Sequence, residues 1–186
     1  DTEFEKDGIL FFGCSYGFGV GVNTVDRYTN ILERKLNIRC NNLCIPGSGS
    51  DTTARILPYW IEKLQPKIVV NHFMFPIRRE ISNGTKAPTL WLPSMDLPKT
   101  KIQEFIDEDY VYAKTVRNIH SIKNCCKNNS VRYVEYSKNL NDFAANDSKH
   151  PGPESHKQIA NEIFDMIENN RVLQFTNTDD YANKHI

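Results

Sequence analysis

The chain has 186 residues, 39% hydrophobic and 25% charged, and its 23 basic and 23 acidic side chains cancel to a formal net charge of zero. That length and apolar content build one ordinary domain with its own core, which excludes wholesale disorder and any need for metals or disulfides to hold the fold. The charge balance gives no global pull toward nucleic acid or anionic membrane, and no apolar run reaches the roughly 18 residues of a transmembrane helix, so neither partner is expected.

In chain order, Ile9-Leu-Phe-Phe12 is a continuous apolar run ending at Gly13 and predicts a strand buried on both faces. A glycine-rich turn follows to Gly21. Asn23 or Thr24 is the expected cap of a helix with Tyr28, Ile31, Leu32, the Lys35 stem and Leu36 on its inner face. Leu43-Cys44-Ile45 reads as the second strand, closed by Pro46-Gly47. Ser50 or Asp51 is the expected cap of a second helix with Ile56, Leu57, Trp60, Ile61 and Leu64 at helical spacing. Ile68-Val69-Val70 is a third buried strand.

Residues 76–100 are rich in proline (Pro76, Pro88, Pro93, Pro98) and predict a long ordered loop, with a small hairpin near Leu90-Trp91-Leu92. Residues 101–127 predict a long helix with a break near Asp107 to Asp109. Val131 to Tyr136 is a fourth strand, residues 137–152 are irregular, and Pro153 to Asn169 is a last helix with Ile159, Ile163, Met166 and Ile167 inward. Residues 171–186 read as a polar tail of the same single domain, 1–186. Strands alternating with helices predict an α/β fold: a three-layer α/β/α sandwich around a central parallel sheet of four to five strands.

The five cysteines (Cys14, Cys40, Cys44, Cys125, Cys126) form neither an even disulfide framework nor a zinc-ligand pattern, so no metal or other cofactor is expected. With no signal peptide visible at Asp1 to Lys6, the expected compartment is the cytoplasm. The sequons at Asn83, Asn128 and Asn146 read as chance. Gly17-x-Gly-x-Gly21 raises nucleotide binding, but no acidic residue closes the second strand and no Gly-Lys-Ser/Thr occurs.

Chemistry in such a sheet sits at the carboxyl ends of the strands. Ser15, flanked by glycines just after the first strand, is a candidate nucleophile, but a serine hydroxyl needs a base. Asp147-Ser-Lys-His150, on the loop before the last helix, supplies one: the carboxylate fixes one ring nitrogen and leaves the other for the serine proton. Cys14 is a weaker nucleophile candidate, because strand geometry would aim its side chain away from that of Ser15.

Three segments carry a resemblance. Gly13-Cys-Ser15, Asn42-Leu-Cys-Ile-Pro-Gly47 and Asp147-Ser-Lys-His150, with the downstream Pro-Gly-Pro-Glu-Ser-His-Lys-Gln-Ile-Ala160, resemble three motifs of the SGNH (GDSL-like) hydrolases in that family's order. The resemblance implies a flavodoxin-like fold and hydrolysis of esters or O-acyl groups without a metal. It implies Ser15, His150 and Asp147 as catalytic triad, and backbone N–H groups of Ser15 and Gly47 as oxyanion hole. The implied partner is a small-molecule or glycan-attached acyl ester. The family's Gly-x-Asn-Asp motif, which completes the oxyanion hole, is not matched: the third strand runs into Asn71-His-Phe-Met-Phe-Pro-Ile-Arg-Arg79. Asn71, His72, Arg78, Arg79 and Trp91 are therefore candidate substrate contacts, with Arg78 or Arg79 a possible replacement donor. The rival reading is a catalytically weak or inactive module of the same fold that binds a glycan or cell-surface polymer.

Overall fold

The computed structural model describes residues 4–72, 78–81, 89–91, 108–137 and 144–169. Four strands, β1 (Ile9–Gly13), β2 (Cys40–Asn42), β3 (Ile68–His72) and β6 (Arg132–Tyr136), form one parallel sheet in the order β2-β1-β3-β6. Helices α2 (Tyr28–Leu36) and α5 (Pro153–Glu168) cover one face, and α3 (Ser50–Leu64) and α4 (Glu108–Asn128) the other. The expected α/β/α sandwich is present, with four strands in its sheet among the described residues. A two-stranded antiparallel hairpin, β4 (Arg79–Ile81) with β5 (Thr89–Trp91), lies in the proline-rich stretch where a hairpin was expected. Among the described residues no helix is long and apolar enough to cross a membrane.

Both faces of the sheet are covered, so its central strands run apolar through Ile9–Phe12 and Ile68–Val70 without alternating, and β3 then ends on the buried polar Asn71 and His72. Ile9, Phe11, Ile68, Val70, Val134 and Tyr136 meet Leu32 of α2 and Ile159 and Ile163 of α5. Leu10, Phe12 and Val69 meet Leu57 and Ile61 of α3 and Ile122 of α4. Met166 and Ile167 of α5 are buried as expected. On α3, Ile56 and Trp60 are half-buried and pack against the second cluster.

Several boundaries differ from the sequence reading, each for a tertiary reason. β2 is Cys40–Asn42, not Leu43 to Ile45, although Leu43 N and Ile45 N still donate to Phe11 O (2.8 Å) and Gly13 O (2.9 Å) along β1. Two asparagines tolerate this edge strand because their amides are satisfied. Asn41 exchanges two hydrogen bonds with the Glu5 backbone (3.1 and 2.8 Å), and Asn42 Nδ2 donates to Gly17 O (3.0 Å). Neither Asn23 nor Thr24 caps α2: Thr24–Asp26 is a single 3-10 turn, and α2 begins at Tyr28 with no side-chain cap from Arg27. Its Tyr28 N–H donates instead to Nδ1 of the fully buried His156 on α5 (3.2 Å), a partner 128 residues away. Ser50 and Asp51 lie inside α3, whose cap position is Gly49. Strand β6 starts at Arg132, one residue later than expected. α4 begins at Glu108; the expected helix over 101–107 and the tail 171–186 lie outside the described residues.

Under the sheet's carboxyl end the core is aromatic and imidazole-rich. The Tyr28 ring stacks on His156 (5.7 Å, 15°), and His72 meets Tyr28 (5.5 Å) and Tyr136 (5.1 Å) edge-on. Burial first, and His156 second, push the His72 pKa from the ordinary 6.5 down to about 3. The unfolded chain therefore takes up a proton below 6.5 that the folded chain refuses until about 3. This contribution to stability is complete above 6.5 and is lost as pH falls toward 3. Urea midpoints are expected to fall across that window, with a limiting slope of about 1.4 kcal/mol per pH unit from this one group. His72→Phe should flatten the slope; an unchanged slope would remove His72 from the acid transition.

Candidate active site

The strand order sets the site. From β1 the chain leaves to β2 on one side, and from β2 it returns across to β3 on the other, so the crevice lies at the carboxyl ends of β1 and β3. β1 ends at Gly13, opposite His72 in the pairing register. A Cβ on Gly13 would stand 2.8 Å from His72 O, so the two strands close here because residue 13 has no side chain.

Ser15 opens the one-turn helix α1 (Ser15–Phe18), with Cys14 at the cap position. Phe18 N donates to Cys14 O (2.9 Å), and Gly19 N and Val20 N donate to Ser15 O (3.0 and 3.1 Å). Gly19, at φ 78°, ends the turn in the left-handed region. The turn is seated from below: a Cβ on Gly17 would lie 2.4 Å from Cys44 Sγ, and Ser48 Oγ donates to Gly13 O (2.8 Å). Cys14 and Cys44 are both buried, and burial pushes the Cys44 thiol up, away from thiolate chemistry.

The second loop turns at Ile45-Pro46-Gly47-Ser48. Ser48 N donates to Ile45 O (3.0 Å) and Gly47 has φ 85°, the pattern that Pro-Gly imposes on a type II turn. Among the described residues nothing accepts a hydrogen bond from the Gly47 N–H.

Asp147 and His150 form a tight unit. Asp147 Oδ1 accepts from Lys149 N (3.0 Å) and His150 N (3.1 Å), and Oδ2 lies 2.5 Å from His150 Nδ1. The backbone N–H of Lys149 first, and the imidazole second, hold the Asp147 carboxyl below its usual range. The loop closes through Ala145 N to His150 O (3.2 Å) and docks on the serine loop through Asn146 N to Gly21 O (3.0 Å). The His150 ring meets the ring of Tyr16, the residue after Ser15, edge-on at 5.5 Å. Ser15 is buried, and its hydroxyl and His150 share no hydrogen bond.

The candidate contacts separate. Asn71 is buried and donates through Nδ2 to Tyr133 Oη (3.2 Å), inside the sheet and not toward the loops. His72 belongs to the buried cluster beneath the site. Arg78 is half-buried and lies against the second loop, where a Cβ on Gly49 would be 2.5 Å from Arg78 O. Arg79 and Trp91 are backbone partners in the hairpin register. Residues 73–77, where the family's Asn motif would fall, lie outside the described residues. Sequence reasoning missed Tyr16, Asn42 and Ser48, which brace His150, α1 and Gly13. Their positions inside the two glycine-rich motifs were the available signal.

No known sequence-family profile matches the chain, and no curated protein matches it in sequence. Solved structures do match. A carbohydrate esterase, described as having an active site with divergent catalytic and non-catalytic binding functions, superposes with a TM-score of 0.64 at 11% identity, over 91% of this chain and 67% of its own. A psychrotrophic esterase from Pseudoalteromonas sp. is similar over 88% of this chain and 98% of its own, at 16% identity and a TM-score of 0.49. A family two carbohydrate esterase from Clostridium thermocellum, in complex with cellohexaose, is similar over 91% of this chain and 66% of its own, at 16% identity and a TM-score of 0.48. The first of these establishes a shared fold, in keeping with the α/β/α arrangement that the motif resemblance implies. Fold likeness at such identities carries over no residue role.

Gly17→Ala tests how tightly the serine turn is seated. Overpacking against Cys44 Sγ should cost about 1–3 kcal/mol. Adding Cys44→Ala should recover part of the lost Tm, and additive losses in the double variant would refute the contact.

Proposed function

We propose that the protein is a serine hydrolase that cleaves an ester or O-acyl group. The observation that carries this is the Asp147–His150 pair, 2.5 Å apart, on a loop hydrogen-bonded to the loop of Ser15. A carboxylate that accepts two backbone N–H bonds cannot swing, so the imidazole it holds keeps one orientation and one tautomer, with the proton on Nδ1. Nε2 is then left as base.

In the proposed reaction Ser15 Oγ attacks the acyl carbonyl as His150 Nε2 takes its proton, and Asp147 stabilises the imidazolium. Negative charge on the tetrahedral oxygen is met by the backbone N–H groups of Ser15 and Gly47. Collapse expels the alcohol, which receives the proton from His150, and leaves an acyl group on Ser15. Water, activated by the same imidazole, then releases the acid. Small esters and O-acylated glycans are the substrate classes we assign. The fold neighbour with a TM-score of 0.64 is itself a carbohydrate esterase, which supports testing the second class beside the first.

Hydrolysis of short-chain p-nitrophenyl esters is expected from the wild type and should fall to background in Ser15→Ala. Equal rates from the two proteins would defeat the proposal. Asp147→Asn should lower kcat by on the order of a hundredfold to ten-thousandfold with little change in Tm, because it disturbs the tautomer and not the fold. A serine-directed phosphonate should label Ser15, as mass spectrometry of the peptide would show; label elsewhere would overturn the assignment.

A further inference from the structure

His150 is held by its own loop along one edge of the ring. Asp147 Oδ2 lies 2.5 Å from Nδ1, and the two side chains are 33% and 20% exposed. That bond selects the tautomer. It leaves the tilt of the imidazole open, because the last torsion of a histidine is broad and water competes for a partly exposed bond. A base whose ring tilts meets the serine hydroxyl only part of the time, and proton transfer needs a defined line between the two.

The serine loop supplies a second contact, on the ring itself. Tyr16 and His150 form an edge-to-face pair, 5.5 Å between centroids with 74° between planes. Tyr16 is the anchored member of the pair. It is buried, and it stands in the turn α1, which is closed by Phe18 N to Cys14 O (2.9 Å) and by Gly19 N and Val20 N to Ser15 O (3.0 and 3.1 Å). Burial first, and Cys14 second, push its phenol above the usual range, so the ring stays neutral and does not compete with the imidazole for the proton. Tyr16 also follows Ser15 directly. Their Cα atoms are about 3.8 Å apart, and their side chains leave the turn about 100° from one another. A ring seated against Tyr16 is therefore referenced to the nucleophile through one peptide bond. Through the loops, the same reference runs by way of Gly21 O and Asn146 N.

We infer that Tyr16 is a positioning residue: its ring sets the tilt of the His150 imidazole, and with it the line along which Nε2 takes the Ser15 proton. The inference rests on Ser15 and His150 being nucleophile and base. A side chain that merely filled space could be replaced by an aliphatic one, whereas a ring contact needs a flat face.

The test compares Tyr16→Phe with Tyr16→Leu on p-nitrophenyl acetate. Tyr16→Phe keeps the flat face and should keep most of the activity. Tyr16→Leu should lower kcat by about tenfold to a hundredfold with KM little changed. In a His150→Ala background the same Tyr16→Leu change should cost almost nothing, because no imidazole is left to position. A second readout needs no turnover: in Ser15→Ala protein with labelled histidine, the His150 ring protons should be shifted by the Tyr16 ring, and Tyr16→Leu should remove that shift. Equal losses in the two backgrounds, or a folded Tyr16→Leu protein with wild-type kcat, would overturn the inference. Should Tyr16→Leu fail to fold, the Ser15→Ala protein decides alone, since His150 ring protons at their free-histidine positions would overturn it equally. Rates unchanged by Ser15→Ala would instead defeat the hydrolase reading on which it rests.

Discussion

The pairing of β1 with β3, Ile9 through Gly13 against Ile68 through His72, is the constraint on which the site depends. The two strands lie side by side although α1, α2, β2 and α3 separate them in the chain. One connection leaves this pair in each direction, so a crevice must open at their carboxyl ends. Gly13 allows the backbones to meet there, and Ser15 begins two residues later. A larger residue at position 13 would press on the His72 carbonyl and push the serine turn off its seat.

Beneath that seat the protein places groups that are costly to bury and gives them partners. Tyr28 N caps onto His156, Asn71 donates to Tyr133, Tyr136 Oη donates to Glu162 (2.8 Å), and Asn42 holds Gly17 O. Satisfied buried polar groups are specific about geometry in a way that aliphatic packing is not. They tie α5, α2 and the sheet into one base under loops that must hold their positions. The same choice makes the fold sensitive to acid, because His72 must stay neutral where it lies.

Above the seat, three loops meet by backbone contacts. Asn146 N to Gly21 O joins the histidine loop to the serine loop, and the close passage at Gly49 joins the hairpin to the second loop. Glycines occupy the contact points because the partner is another backbone and leaves no room for a side chain. A polar clamp of Asp51, Arg55 and Glu80 then fixes the hairpin to α3.

The alternation of apolar runs with helical periods determined the layered fold by itself, because a strand covered on both faces reads as a continuous apolar run, as Ile9–Phe12 and Ile68–Val70 do. The order and residue types of Gly13-Cys-Ser15 and Asp147-Ser-Lys-His150 likewise nominated a reactive serine and its base. Local patterns could not show which partner satisfies a helix end or an edge strand, since those partners are remote. Tyr28 N finds His156, and Asn41 finds Glu5, so α2 and β2 begin where no nearby cap or apolar run would put them. Tertiary structure also divided the candidate contacts. It buried Asn71 and His72 in the base of the site and set the backbone of Arg78 against Gly49 of the second loop.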